Sequence, residues 1–472
     1  MFINVKFQWR GAPVGLVLAV SLAGCAAPNG RTEPSRLPAD AVATRPVSAA
    51  ETPPAASAQP AILPVSYQVP SPAHDAADPL DAQAELSVER LAAEAEARNP
   101  SLQAVSAAWR AAAQRYPQVV SLDDPVLGMA IGPDGVGTMQ GGGWMVEASQ
   151  KIPWAGKRAL RGSAAVAEAD AVQGDIGATR LRLSEAARMA LADYYLACRE
   201  LEVNTATRDL LTQFRRIARN KYEVGQATEQ DVLQADVELA SLESRRTEIA
   251  RDETVAVARI NTLLHRAADH PLPPPGRVAA GNALPDAGTL QERAAAARPD
   301  LYAQQARIRA EEANLALACR EYYPDLNLTA KYDAFMPVDM RAQVGVELNV
   351  PLRSARRSAA VCEATERLQQ RRAEYQGLLD QVSFEVQSAW ARATQGQRLI
   401  RLYEEKILPA TQRSLDSALA NYTSGKLDFL RLLDAERQVY LERDMYYQAI
   451  ADYQRRLAEL ERAVGERVGI GE

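Results

Sequence analysis

The chain has 472 residues, a formal net charge of −6 and only 6% aromatic residues, while 47% are apolar. The mild acidity argues against a nucleic-acid partner, which calls for a basic face. Apolar content that is mostly Ala and Leu, mixed with many Arg and Glu, favours long helices over one compact mixed core, and the length leaves room for two to four domain-sized units.

The first segment reads as an address. Lys6 and Arg10 supply positive charge before a short apolar run, Ala12–Gly24. That run is too short to span a bilayer and ends in small residues, as a secretory signal does. It closes on Leu22-Ala23-Gly24-Cys25, which looks like a bacterial lipobox. Residues 1–25 are therefore expected to be a lipoprotein signal, with Cys25 the lipidated first residue after cleavage. Ordinary cleavage with an incidental Cys25 is the alternative. Ala26 follows, where an Asp often retains lipoproteins in the inner membrane, so the address leans outward. Residues 26–84 are rich in Pro, Ala and Ser and cannot bury a core, so they are expected to be an extended tether. Cys198, Cys319 and Cys362 are an odd number, each in a helical pattern, and read as small packing residues rather than a disulfide framework. His74, His265 and His270 have no metal-ligand spacing on a helix. No nucleophile–base set is legible, so neither an enzyme nor a cofactor is expected.

From Leu86 onward the pattern turns helical, and Asn99-Pro100 marks a helix start. A first repeat covers residues 85–269. It runs helix, Tyr116-Pro117, strand-like segments 125–132 and 143–152, a Pro stop, an unbroken helical stretch from about Ala155 to Lys221, a turn at 222–228, and another helix. A helix of that length reaches roughly 100 Å, which no single globular core needs. The Pro-rich residues 270–288 form a connector. The second repeat, 289–468, keeps the same order, with strands at 325–334 and 341–350 and a turn at 422–428. Arg98–Leu102 returns as Ala297–Leu301, and Lys151–Arg158 returns loosely as Asn349–Arg357. Lys221–Leu239 returns as Asn421–Val439, with Tyr222, Gly225, Leu233 and Ala235 matching Tyr422, Gly425, Leu433 and Ala435. Two copies are too few for a solenoid and point to a pseudo-symmetric duplication. In the second long helix Ile400, Tyr403, Ile407, Leu415, Ala418 and Tyr422 recur near heptad spacing, a seam for helix-on-helix packing. Pro409 should kink that helix.

The strand-like segments discriminate between classes. Leu326, Leu328, Ala330, Tyr332 and Ala334 alternate with Asn327, Thr329, Lys331 and Asp333. Ala342, Val344, Val346, Leu348 and Val350 alternate with Arg341, Gln343, Gly345, Glu347 and Asn349. Length and period are those of transmembrane β-strands. Soluble hairpins with one wet face fit the period equally well; the lipoprotein signal and the long helices favour the membrane. A membrane sheet has no tolerable open edge, and four strands are too few to close a barrel, for which about eight is the minimum. Several chains must contribute, and three would supply twelve strands. Lys331, Asp333, Arg341 and Glu347 would then line a wet lumen, with the apolar residues against lipid.

The signal, the tether, the duplicated strand–strand–long-helix units and the paired Tyr-x-x-Gly turns together resemble the TolC family of outer-membrane efflux proteins. The resemblance covers roughly Leu86 to Val468 and is carried best by Tyr222–Leu239 and Ile407–Tyr440. It implies a mainly α fold with a small β part: a trimeric twelve-stranded β-barrel, four strands per chain, continuing into an α-helical barrel of coiled-coil hairpins across the periplasm. It implies passive conduction by a homotrimer seated in outer-membrane lipid. An inner-membrane pump of the RND type would supply energy, and a periplasmic adaptor would dock on the tips around Tyr222, Gly225, Tyr422 and Gly425. Locally, Gly225 and Gly425 suit helix C-termini, while Thr228 and Asp428 suit the N-caps that follow.

The pairing of Tyr422 with Asp231 resembles a link that holds such tips closed. The Arg that commonly adds a second link falls at Leu427, and of two acidic constriction positions one matches Asp434 while the other falls at Arg431. A double acidic ring is therefore not expected. Asp231 also reads as a capping-box partner of Thr228, and Asp434 as a solvated helix charge. Asp123–Pro133 and Gln150–Arg158 look like the outer-membrane partners of heavy-metal pumps, and Met129, Met139, Met145, Met336 and Met340 fall in or beside the hairpins. Thioethers suit Cu(I), though apolar packing explains the methionines equally well. Two other readings stay open: a type I secretion duct for polypeptides, and a coiled-coil structural lipoprotein that never spans the membrane.

Overall fold

A computed structural model of the chain describes residues 84–132, 143–276 and 284–468. They lie in the second of two compact units, Val69–Glu472. The signal with Cys25, residues 26–83 of the tether, His74, Met139 and residues 277–283 of the connector lie outside the described residues.

The first repeat begins with α1 (Val88–Arg98), α2 (Pro100–Ala113) and α3 (Arg115–Val120). Asn99 starts α2 by accepting from the Ser101 amide at 3.0 Å, with Pro100 in the first turn, where its missing N–H costs nothing. Then come β1 (Val126–Gly132), β2 (Gly143–Ile152), the 67-residue α4 (Lys157–Glu223) and α5 (Glu229–Leu263). The second repeat follows with α6 (Ala287–Ala297), α7 (Pro299–Arg320), β3 (Leu326–Asp333), β4 (Ala342–Leu348), α8 (Ser354–Leu402), α9 (Leu408–Thr423) and α10 (Phe429–Val464). Between α8 and α9 the residues Tyr403–Ile407 form one π-helical turn. This is how the helix accommodates Pro409. A proline removes one intrahelical bond and crowds the preceding turn, and a wider turn just before it absorbs the misfit without a break. The short α3, which contains Tyr116-Pro117, has no equivalent before β3 and is not announced by the sequence period.

Length without a thick core requires packing distributed along the helices. Four apolar clusters do this. One joins Leu91, Leu191 and Ile260 from α1, α4 and α5. Another joins Leu290, Leu301, Val386 and Leu460 from α6, α7, α8 and α10. A third joins Tyr195, Ile400, Tyr403 and Tyr453. The fourth, at the far end, joins the two hairpins α4–α5 and α9–α10 through Leu211, Phe214, Ala218, Leu415, Tyr422, Phe429 and Leu433. Of the predicted seam, Ile400, Tyr403, Leu415 and Tyr422 are buried, and Ile407 and Ala418 pack against those clusters. Abundant alanine lets the axes approach closely: a Cβ at Gly174 of α4 would lie 2.7 Å from the Pro299 carbonyl of α7. Cys198 is half-buried, but Cys319 and Cys362 are exposed, so only the first serves packing. No described helix is long and apolar enough to cross a membrane.

The four strands form one antiparallel sheet in the order β1-β2-β3-β4, so the repeats meet where β2 pairs β3. Both edges, β1 and β4, are open within the chain.

Candidate functional site

Register decides what the sheet offers. Glu147 stands opposite Lys331, which stands opposite Gln343; Asn327 stands opposite Glu347. Cross-strand partners share a face, so Glu147, Ser149, Asn327, Thr329, Lys331, Gln343 and Glu347 make one polar face. Asn327 donates to Glu347 across it at 3.0 Å. The opposite face carries Leu127, Met129, Ile131, Trp144, Val146, Leu328, Tyr332, Val344 and Val346. It is uncovered: Leu127 is 76% exposed and Val344 87%. A soluble sheet would bury that face.

Two of the four lumen candidates sit differently from the sequence reading. Asp333 is on the polar face but buried, accepting from the Phe335 amide at 3.0 Å, so its carboxylate holds the β3–β4 loop. Arg341 precedes β4 in helical backbone and donates to the Met336 carbonyl at 3.1 Å. The loop turns tightly through Val338–Met340, which shortens the strand to Ala342–Leu348 and takes Arg341 out of the alternation. Met129 and Met145 fall on opposite faces of the sheet, Met336 lies in the β3–β4 loop and Met340 ends its turn. No group of His, Cys, Asp and Glu suited to a metal occurs among the described residues.

Aromatic pairs mark both ends of the sheet. Trp144 stacks on Tyr332 at 5.1 Å near the loop end, and Trp154 on Tyr323 at 5.7 Å near the helices. Such girdles belong at the two membrane–water interfaces of a barrel. The sequence reading missed them, though Trp and Tyr at the ends of alternating runs were a readable signal. It also missed Lys157. This lysine is fully buried where sheet meets helices, donating to Asp325 (2.9 Å), Glu321 (3.2 Å) and the Tyr323 carbonyl (3.0 Å). It ties the start of α4 to the entry of β3, across the repeats.

At the other end the two tips are built alike. After α4, the Gln226 amide donates to Lys221 O (2.8 Å) and Gly225 to Tyr222 O (2.9 Å). After α9, Lys426 donates to Asn421 O (2.9 Å) and Gly425 to Tyr422 O (3.1 Å). These are Schellman turns, and they demand a left-handed residue, supplied by Gly225 (φ +72°) and Gly425 (φ +77°). Asp428 caps α10 by accepting from the Arg431 amide at 3.1 Å. Thr228 occupies the cap position of α5 but accepts from none of its backbone amides; its hydroxyl donates to the Asp231 carboxylate at 2.9 Å instead.

The tips differ in what surrounds them. Tyr422 is 3% exposed and Tyr222 46%. The Tyr422 ring lies 5.4 Å from Phe429, with the Lys221 ammonium 4.4 Å above it; that ammonium also donates to the Tyr422 carbonyl. The Tyr422 hydroxyl is buried with no hydrogen-bond partner among the described residues. Burial, and then the nearby Asp231 charge, push it up to about 12. The fold thus brings Tyr422 and Asp231 together without bonding them. The Arg431 side chain is exposed, and Asp434, also exposed, lies 3.8 Å from Arg437, which holds Glu238 at 2.6 Å. One turn on, Glu436 is buried, and that burial, reinforced by Glu238, raises its carboxyl to about 7.

Long helical hairpins carrying a small sheet with one polar and one uncovered apolar face are the fold of an outer-membrane channel protomer. The channel OprN superposes with a TM-score of 0.70 at 21% identity, covering 80% of this chain and 89% of its own. CusC, described as forming a transmembrane channel, gives 0.70 at 19% identity, covering 81% and 92%. The outer membrane protein VceC from Vibrio cholerae gives 0.67 at 20% identity, covering 80% and 96%. No curated protein sequence matches the chain significantly. Residues 290–466 match the outer membrane efflux protein family. The second repeat thus matches that family in sequence, and the described residues share the fold of outer-membrane channels.

Proposed function

We propose that the chain is the outer-membrane duct of a tripartite efflux system. Three copies close their sheets into a twelve-stranded barrel, with Lys331 and Glu347 toward the lumen and the Leu127–Val344 face toward lipid. The helical hairpins extend into the periplasm, where the tips at 222–228 and 422–428 receive an adaptor that connects to an inner-membrane pump. Conduction is passive, the pump supplies energy and selects the cargo, and acyl chains on Cys25 add an anchor. The single observation that carries this reading is the two-faced sheet: fifteen or so side chains sorted by register into a polar and an exposed apolar surface suit a barrel wall and no soluble role.

The tip is the natural closure. A turn of Asp231 from Thr228 toward the Tyr422 hydroxyl would link α5 to α9 and narrow the entrance. Purified chain in planar bilayers should give discrete ion-conducting steps, with a larger leak for Tyr422→Phe and Asp231→Ala. Unchanged conductance in both variants would remove the gate role. Assembled trimers that conduct nothing, even with Asp231→Ala, would contradict the duct itself.

A further inference from the structure

The two repeats build the same junction between sheet and helices, but one chain completes it only once. Two arginines fix the equivalence. Arg158, at the start of α4, donates through Nε to the Val120 carbonyl at 2.7 Å, and Arg357, at the start of α8, donates to the Glu321 carbonyl at 2.7 Å. Counting from the arginines, Lys157 corresponds to Arg356. Counting from the accepting carbonyls, Tyr323 corresponds to Leu122, and Asp325 to Asp124. Counting from the prolines that end β2 and β4, Trp154 corresponds to Leu352.

In the completed junction, Trp154 stacks on Tyr323 and Lys157 holds Asp325. Both contacts run from the β2–α4 corner to the entry of the adjacent strand, β3. The β4–α8 corner has no adjacent strand in its own chain, because β1 is at the opposite edge of the sheet. Its residues are left open accordingly. Leu352 is 85% exposed and Leu122 40%. Arg353, Arg356, Asp123 and Asp124 are exposed, and among the described residues the side chains of Arg356 and Asp124 have no ion-pair partner. One edge is thus doubly basic and the other doubly acidic, each beside an exposed leucine.

Resting on the assembly proposed above, we infer that Arg356 of one copy pairs with Asp124 of the next, over a contact between Leu352 and Leu122, repeating between chains the junction that Lys157 and Asp325 make within one. Edge pairing of β4 on β1 fixes register along the strands; this clamp fixes it where the strands become helices.

The test reverses the charges in the full chain and follows the trimer that survives heating in detergent. Asp124→Arg and Arg356→Asp should each lower the surviving trimer severalfold, and the double variant should restore it. Independently, Leu122→Cys with Leu352→Cys, in a chain carrying Cys198→Ser, Cys319→Ser and Cys362→Ser, should form disulfide-linked dimers and trimers on oxidation. Trimers whose double reversal is no better than the singles, with no cross-link in the cysteine pair, would overturn the clamp and leave the duct standing. A parent chain that is monomeric in detergent would overturn the assembly and the clamp together.

Discussion

The two tips share a backbone and not an environment. Tyr222 and Tyr422 end their helices in the same turn, yet the first is 46% exposed and the second 3%. Leu233 is 56% exposed where Leu433 is 1%. Asp236 is exposed and paired with Arg215 at 3.1 Å where Glu436 is buried. Duplication therefore copies what local sequence dictates, the Schellman turn and its glycine, while burial depends on which neighbour each hairpin meets. The α9–α10 tip is covered by the α4–α5 hairpin of its own chain. The outward side of the α4–α5 tip is left for another copy under the assembly proposed above.

That difference can be broken by substitution at paired positions. The largest effect is expected at the tyrosines. Tyr422→Ala removes a buried ring from the cluster that joins the hairpins and should weaken the second tip by about 3–5 kcal/mol, read as faster amide hydrogen exchange through α9 and the start of α10. Tyr222→Ala should leave exchange in its own tip nearly unchanged. Equal losses at both would end the distinction.

Next come the acids. The Glu436 carboxyl is raised to about 7 in the fold and is ordinary when unfolded, so the folded state holds its proton more tightly. Its contribution is fully present below the ordinary carboxylate range and is lost as pH rises through 7. Glu436→Gln should abolish that loss and stabilise α10 at pH 8 on the order of 3 kcal/mol, whereas Asp236→Asn should leave the pH profile as it was. A parent whose α10 protection, with exchange corrected for the intrinsic base-catalysed rate, does not fall between pH 5 and pH 8 would contradict the burial argument.

The glycines should behave alike, because both take positive φ. Gly225→Ala and Gly425→Ala should each cost about 1–2 kcal/mol in thermal unfolding, and a cost confined to one tip would show that the turns are not equivalent. The smallest contrast lies at the caps. Asp428→Ala should cost about 1 kcal/mol, since its carboxylate caps α10. Thr228→Ala should cost less, because its hydroxyl bonds the Asp231 side chain rather than a helix amide. Hydrogen exchange in the first turn of each helix separates the two.

Local chemistry in the sequence went far. Strict alternation located β3 and β4, the Tyr-x-x-Gly echo located both tips, and Asn99-Pro100 located the start of α2. Pro409 marked a disturbance, though its form as a π turn follows from the chain's choice to widen rather than break. What stayed hidden depends on distant partners. Periodicity shows that Tyr422 and Tyr222 share a position but not which is covered. It gives no hint that Lys157 is buried, because its partners Glu321 and Asp325 lie more than 160 residues away. Arg341 fits the alternation by count and leaves it because the loop turn runs one residue further, through Arg341.

If the sheet crosses the outer membrane while the tips stay in the periplasm, site-specific labelling will separate the two ends. Val338 in the β3–β4 loop is 79% exposed, and Ser424 lies in the second tip. In a chain with Cys198, Cys319 and Cys362 replaced by Ser, Val338→Cys and Ser424→Cys would be treated separately on intact cells with a bulky membrane-impermeant maleimide. Labelling is expected at 338 on intact cells, and at 424 only after the outer membrane is permeabilised. Protection of both positions until permeabilisation would place the sheet inside the periplasm and contradict the duct.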